Sequence, residues 1–213
     1  MPRLAKPSQR SSLGLIVLWL LYREPLHVYG MQKLIEHQAK DRVVNVRSRA
    51  SLYQAIERLV RLGLVQVLET VRNEGLPDRI VYAITEAGRE AARTWLRETL
   101  ESTDAEYPEF IAAVSIMFGL PPEEAYEALE MRLERLEHEL ADTRAALSEF
   151  ARIPRLFLLE EEYRRAVLEA QIAWIRGVIA DIKAGRLTWS EEWIGEIAAE
   201  IGLPTEEKEG IDR

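Results

Sequence analysis

The sequence predicts a mainly α-helical protein in two parts: a first half that ends in a small β-hairpin and one more helix, and a second half of long antiparallel helices. Apolar residues recur at helical spacing through most of the chain, and only residues 64–71 and 79–85 have the composition of strands. Charge divides the chain similarly. Residues 1–100 contain 16 Lys and Arg against 10 Asp and Glu, a net +6, and residues 101–213 contain 12 against 26, a net −14. A polyanion such as nucleic acid is therefore expected to meet only the first half.

The composition is that of an ordinary globular protein. The 213 residues are 30% charged and 47% hydrophobic, enough for one large domain or two small ones. The chain has no cysteine, which excludes disulfides, thiolate metal sites and thiol nucleophiles and favours the cytoplasm. The apolar run 13–22 follows basic residues as in a signal peptide, but no cleavage pattern follows it and its length is about half of a membrane span. We read it as a buried helix and expect no membrane partner.

The first helix is expected from about Ser12, as its N-cap, to Arg23. A turn at Leu26 and His27 then leads to a second helix over residues 29–38. Pro25 enforces the end of the first helix, and the second helix is shorter.

A third helix is expected after Ser48, which can act as its N-cap. Leu52, Ile56 and Leu59 recur at spacings of four and three and form one apolar stripe, while the polar residues of this helix point elsewhere. Gly63 should end the helix.

Two strands with a turn over residues 73–78 form the predicted hairpin, and Thr85 can cap a fourth helix that ends near Glu101. Three helices, a two-stranded wing and a helix are the order of an N-terminal winged helix-turn-helix. In that fold the third helix enters the major groove of double-stranded DNA and the wing reaches the flanking backbone.

The second half is predicted to be a C-terminal antiparallel helical hairpin. Leucines alternate at four-three spacing from residue 129 onward, interrupted only by Thr143, and a return helix follows Pro154. The stripe of the return helix is too broad for one partner helix, so we expect dimerisation through its central residues, Leu168, Ile172, Ile175 and Ile179. The predicted regions are 1–103 for the winged helix, 108–186 for the dimerisation domain and 187–213 for a helical extension with a frayed tail.

The candidate DNA-binding residues are cations and uncharged hydrogen-bond donors of the third helix and the wing. They are Arg47, Ser48, Arg49, Ser51, Tyr53, Gln54, Arg58, Arg72, Asn73 and Arg79. Arg49 and Gln54 lie near the start of the helix, where side chains reach base edges, and Tyr53 and Arg58 are expected to hold phosphate. The alternative for any single arginine is a solvated helix face, but their joint position favours DNA binding.

The chain resembles PadR-type transcriptional regulators. The matching stretches are Pro25-Leu26-His27 with Tyr29, then Ser51-Leu52-Tyr53 with Leu59 and Gly63-Leu64-Val65, then Val81-Tyr82-Ala83-Ile84-Thr85-Glu86-Ala87-Gly88-Arg89, and Ala173-Trp174 in the return helix. The resemblance implies a homodimer, and many such regulators are repressors released by small aromatic or cationic ligands. Asp78 stands where the family usually has a basic residue, which moves the expected phosphate binding from the wing to the third helix.

Three tryptophans are the candidate effector pocket: Trp19, Trp95 and Trp174. Flat aromatic faces bind planar or cationic ligands. Core packing is the alternative for all three, and the sequence favours it most for Trp174, which lies inside an apolar stripe.

Enzymatic chemistry has little support in the sequence. His27, His37 and His138 lack the spacing of metal ligands, and no glycine-rich phosphate loop or nucleophile elbow is present. The acidic run 160–162 occupies consecutive helical positions, which do not converge on a site. We expect no enzyme activity, no cofactor and no metal. A winged-helix adaptor that binds a protein partner without recognising an operator is the alternative function.

Overall fold

The computed structural model describes residues 10–37, 49–71, 79–103 and 108–200. The chain divides into two compact units, residues 1–105 and 106–213. Each unit has its own hydrophobic core: one is formed by the first helices and the small sheet, and the other lies along the seam of the helical hairpin.

The N-terminal unit is a winged helix-turn-helix, and the predicted fold class is confirmed. Its elements are α1 (Ser12–Arg23), β1 (Leu26–His27), α2 (Val28–His37), α3 (Arg49–Arg61), β2 (Val65–Val71), β3 (Arg79–Ile84) and α4 (Glu86–Glu101). The sheet has the order β1-β3-β2 and is antiparallel throughout. Its core includes the predicted α3 stripe of Leu52, Ile56 and Leu59, which are all at most 2% exposed.

The predicted turn at Leu26 and His27 is instead a third strand. Leu26 pairs with Tyr82 and His27 with Val81, so β1 adds an edge to the predicted two-stranded wing. Two residues are too few to show the alternation by which a strand is recognised in a sequence. The strand places the start of α2 directly beside the sheet.

Side chains cap both of the first helices. Ser11, and not the predicted Ser12, caps α1, because its Oγ accepts a hydrogen bond from the Gly14 amide at 3.0 Å. His27 does the same for α2: its Nδ1 accepts from the Gly30 amide at 2.8 Å. A helix begins with amides that have no partner within the helix, so each cap satisfies a donor that would otherwise lack one.

We expect His27→Ala to destabilise the N-terminal unit by about 1 kcal/mol, the usual cost of losing an N-cap. Hydrogen exchange of the α2 amides should report the loss first, because that helix start loses its acceptor. His27→Asn is the matched control, since its side-chain oxygen can restore the cap. Equal protection of α2 in the wild type and in His27→Ala would show that the hydrogen bond contributes nothing.

Thr85 and Gly88 hold the start of α4 close to the turn that follows α3. As predicted, Thr85 caps α4: its Oγ1 accepts from the Gly88 amide at 3.0 Å and donates to the Gly63 carbonyl at 2.7 Å. Gly63 ends α3 with a φ of 70°, a conformation that glycine adopts without strain. Gly88 lies so close to the turn between α3 and β2 that an added Cβ would be 2.0 Å from the Leu64 carbonyl oxygen. No other residue fits at this position without a shift of the backbone.

The C-terminal unit is a long helical hairpin with short helices at its ends. Its elements are α5 (Glu109–Ser115), a 3-10 turn (Met117–Gly119), α6 (Pro122–Glu149), a second 3-10 turn (Arg155–Phe157), α7 (Leu159–Lys183) and α8 (Glu191–Glu200). The short helix α5 ends at Ser115 and is followed closely by the first 3-10 turn.

The seam between α6 and α7 is apolar with one exception. Leu129, Leu136 and Leu140 of α6 pack against the apolar residues of α7, and Phe110 of α5 lies against the same core. Thr143 occupies the position where the repeat calls for an apolar residue, and it is fully buried. Its hydroxyl oxygen has no hydrogen-bond partner within the described part of the chain.

Ion pairs flank this seam at regular intervals. Glu130 of α6 pairs with Lys183 at 3.0 Å, Glu137 with Arg176 at 2.7 Å and Arg144 with Glu169 at 2.9 Å. Each step of seven residues forward along α6 is matched by seven residues back along α7, which is the pattern of antiparallel helices. All six side chains are largely exposed, so each pair adds little to stability.

Candidate nucleic-acid interface

The exposed face of α3 is the candidate nucleic-acid interface. Behind it, the apolar stripe of the helix is buried in the core, which fixes the orientation of α3. On the exposed side lie Tyr53, which is 47% exposed, together with Gln54 and Arg58. A helix anchored in this way presents its polar side chains to a groove on a rigid support.

Glu57, a carboxylate that was not among the predicted DNA-binding residues, lies on the same face. It lies between Gln54 and Arg58 along the helix and is exposed. Burial, with smaller contributions from Tyr53 and Glu57, raises the pKa of the Tyr82 phenol on β3. That phenol therefore stays uncharged at neutral pH. A carboxylate at this position can accept a hydrogen bond from a cytosine amino group but repels phosphate. It therefore restricts the groups of DNA that this part of α3 can contact.

The other predicted DNA-binding residues are placed as follows. Arg49 is the first residue of α3, Ser51 is half-buried, and Arg79 is exposed at the start of β3, where it pairs with Val71. Arg47, Ser48, Arg72 and Asn73 lie outside the described residues. The structure thus brings Tyr53, Gln54 and Arg58 to one face, next to the helix start at Arg49.

Two side chains of α2, neither of them among the predicted DNA-binding residues, are also exposed. Tyr29 is 52% exposed, and the Lys33 ammonium lies 5.6 Å from the centre of its ring. Both are on the solvent side of α2, whose opposite side buries Met31 and Ile35. The amphipathic pattern of α2 could have identified this side, since its apolar stripe is clear in the sequence.

The three candidate effector tryptophans do not share one environment. Trp95 is 3% exposed in the N-terminal core, and Trp19 is half-buried against that core and stacks on Tyr22 with 4.9 Å between ring centroids. Trp174 lies in the C-terminal unit and is 46% exposed. Core packing was favoured most for Trp174, and this prediction was wrong. Trp95 is the core residue, and Trp174 projects from the apolar stripe of α7.

The four residues predicted to dimerise are buried within one chain. Leu168, Ile172, Ile175 and Ile179 are at most 6% exposed, because α6 and α7 enclose them. They hold the hairpin together and are not on its surface. The periodicity identified the buried stripe correctly but could not show that α6 is long enough to cover it.

Within the described residues, no helix has the length and apolar character needed to cross a bilayer. The same residues contain no group of three or more side chains suited to hold a metal ion.

Comparisons with known proteins agree with this geometry. Residues 17–94 match the model of the transcriptional regulator PadR-like family. Bacillus subtilis PadR in complex with operator DNA has a similar fold, with a TM-score of 0.62 and 16% identity over 81% of this chain and 99% of that chain. The Vibrio cholerae virulence activator AphA gives a TM-score of 0.59 and 21% identity over 81% of this chain and 99% of that one. No curated protein matches the chain in sequence.

A third similar structure is Bacillus subtilis PadR in complex with p-coumaric acid, with a TM-score of 0.56 and 16% identity over 84% of this chain and 99% of that chain. At these identities the likeness establishes the fold. The likeness extends through most of the chain, into the helical hairpin that follows the matched family region.

A winged helix-turn-helix with an exposed, partly cationic third helix is an arrangement that many DNA-binding transcriptional regulators share. Over residues 17–94 this chain is similar to the PadR-like family of such regulators. This confirms the resemblance found in the sequence motifs. The matched family consists of transcriptional regulators, which is in line with the expectation of no enzyme activity.

Proposed function

We propose that the protein is a repressor that binds a pseudo-palindromic operator as a homodimer in the cytoplasm and responds to a small ligand. The observation that carries this proposal is the exposed face of α3, with Tyr53, Gln54 and Arg58 held outward by a buried apolar stripe. The net charge of +6 on the first half favours contact with phosphate. The operator complex of Bacillus subtilis PadR, which has this fold, supports the same role.

Dimerisation is assigned to the C-terminal unit. Its surface exposes several large apolar side chains, and exposed apolar patches often mark protein–protein interfaces. They include Met131, Leu156, Phe157 and Tyr163, each between 57% and 74% exposed. We assign residues 1–103 to DNA binding, 108–186 to dimerisation and 187–213 to an extension. The two copies of α3 should then lie about 34 Å apart, or a multiple of that, as two successive major grooves require.

Steep salt dependence of binding to duplex DNA tests this proposal against the adaptor alternative. A regulator that neutralises several phosphates loses affinity as salt rises, because it displaces counterions, whereas an adaptor has no such slope. Footprinting then tests the dimer, which should protect two symmetry-related half-sites. Protection of one half-site without a mate would argue against a palindromic operator.

Arg49→Ala and Arg58→Ala should weaken DNA binding in different ways. Arg49 begins α3 and is expected to read a base edge, so its loss should cost about 1–3 kcal/mol on the operator and relax preference at one position. Arg58 is expected to hold phosphate, so its loss should weaken all sequences alike and reduce the salt slope by about one.

Fluorescence anisotropy with operator and random duplexes at several salt concentrations measures both effects. Arg176→Ala, in the C-terminal hairpin, is the control and should leave both affinities unchanged. Equal losses on operator and random DNA for Arg49→Ala would contradict the assignment of base reading to that residue.

The ligand response is supported by the aromatic residues Trp19 and Trp174, which keep exposed surface, and by the p-coumaric acid complex of Bacillus subtilis PadR. We propose that a small aromatic or cationic effector lowers operator affinity. Release of a pre-bound operator on addition of such a compound, followed by anisotropy, tests this part of the proposal. Failure of every compound tested, with operator binding intact, would leave a regulator that does not respond to this class of ligand.

A further inference from the structure

The C-terminal unit contains a cavity between α5, α6 and α7. Its volume is about 430 Å³, within the range of small-molecule sites. Phe110, Ile111 and Val114 of α5 form one wall, and Gln171 and Trp174 of α7 form another. The Phe110 and Trp174 rings meet edge to face with 6.1 Å between centroids, so two aromatic surfaces line the space.

Among the residues that the structure describes, Arg132 of α6 is the only ionisable one that lines this cavity. A neighbouring cavity of about 510 Å³ shares Arg132, Phe110 and Val114, and no described carboxylate lines it. This local charge is opposite to that of the surrounding region, since residues 101–213 have a net charge of −14. The cavity is therefore a cationic apolar site within an acidic half of the chain.

The Arg132 guanidinium is held in place by neutral groups. Its Nη2 donates to the Gln171 side-chain oxygen at 3.1 Å, and its central carbon lies 3.7 Å from the centre of the Phe110 ring. Its Nε is buried and has no acceptor within the described residues. An arginine fixed in this way loses little further freedom when it binds an anion.

Arg132 also lacks the counter-charge that other arginines of this unit have. Five of them have a carboxylate oxygen within 4.0 Å: Arg144, Arg155, Arg164, Arg176 and Arg186. No carboxylate of the described residues pairs with Arg132, which is half-buried. A partly buried cation without a counter-charge is unfavourable, and a carboxylate bound bidentately would relieve that cost.

We propose that this cavity binds a small organic anion with a flat aromatic body, whose carboxylate pairs with Arg132 and whose ring lies against Phe110 and Trp174. The inference deepens the ligand response proposed above and rests on it for its regulatory meaning. It narrows the effector class, because the one charge that the described residues place in the cavity is positive and disfavours a cationic ligand. Of the three tryptophans considered in the sequence, it selects Trp174.

An NMR titration of the full-length protein without DNA tests the inference. The reporter is the indole N–H signal of Trp174, identified by its loss in Trp174→Phe, and the probe is naphthoate. We expect saturable shifts with a Kd of about 1 mM or tighter, as the size of the probe allows. The neutral isostere naphthamide and the cation naphthylmethylammonium should each bind at least about tenfold more weakly, because they lack the charge-assisted pair.

Arg132→Gln should reduce naphthoate affinity to that of naphthamide and leave naphthamide unchanged. Arg135→Gln, an exposed arginine on the same helix, is the matched control and should behave as wild type. Circular dichroism verifies that both variants are folded, and Arg132→Lys, which keeps the charge, should retain part of the selectivity for the anion.

Equal binding of naphthoate and naphthamide, an unchanged affinity in Arg132→Gln, or no shift of the Trp174 signal would each overturn the inference. Operator affinity, measured separately on the same proteins without probe, tells this failure apart from failure of the proposed function. Loss of probe binding with operator binding intact overturns only the aromatic anion site.

Discussion

Replacing Gly88 by alanine should destabilise the N-terminal unit by about 3 kcal/mol or more, the upper end of what overpacking costs. The added Cβ would lie 2.0 Å from the Leu64 carbonyl oxygen and 2.7 Å from Ile84 Cγ1. The backbone must therefore move. The same carbonyl accepts a hydrogen bond from the Thr85 amide at 3.0 Å, so any shift that makes room also strains the cap of α4. Operator binding should fall with stability, because α4 packs on α1, which in turn packs on α3.

Urea unfolding and hydrogen exchange resolved along the chain measure this effect. Protection should fall over residues 10–103 and stay unchanged over residues 108–200. Gly177→Ala is the matched control: Gly177 is an exposed helical glycine with open space where a Cβ would lie. That variant should be more stable by about 0.5–1 kcal/mol. If the free energy of unfolding changed as little in Gly88→Ala as in Gly177→Ala, this would contradict the close approach of α4 to the turn between α3 and β2.

The fragment of residues 1–103 should be folded but monomeric, and its operator affinity should fall by about 10²–10⁴. It retains the whole N-terminal core, so its fold does not depend on the hairpin. A monomer engages one half-site at a time and loses the effective concentration that links the two sites. We place the cut before α5 because that helix belongs to the second unit.

Sedimentation and DNA binding together test this prediction. The affinity of the fragment for an isolated half-site should equal that of one subunit of the full-length protein, which is the internal control. If the fragment remains a tight dimer at micromolar concentration, the dimer interface lies in the first half of the chain and our assignment is wrong.

The sequence predicted those parts of the fold that rest on local chemistry. Thr85 caps α4 because a hydroxyl is needed there, and Gly63 ends α3 because a positive φ is needed there. In each case the type of one residue is enough to indicate the structure. The buried stripes of α3 and α7 follow from helical periodicity alone. These features required no knowledge of what packs against them.

Features that depend on tertiary contacts were missed or misplaced. The strand at Leu26 and His27 exists only because β3 lies beside it, and a two-residue segment has no pattern of its own. Trp174 was expected inside the stripe of α7, yet the exposed side of that helix carries it. The Arg132 cavity could not be predicted either, because α5, α6 and α7 contribute to it from distant parts of the sequence.

The ion pairs along the hairpin have a consequence beyond their small contribution to stability. Two of the three place an acid on α6 and a base on α7, but the third reverses this order, with Arg144 opposite Glu169. If α6 slipped by one heptad in one direction, Arg144 would face Arg176. A slip in the other direction would place Glu137 opposite Glu169. Leucines and isoleucines alone tolerate both misalignments, since one apolar repeat resembles the next. The reversed pair Arg144–Glu169 makes both misalignments unfavourable, because each brings like charges together. Of the three alignments, only the native one places opposite charges at all three pairs.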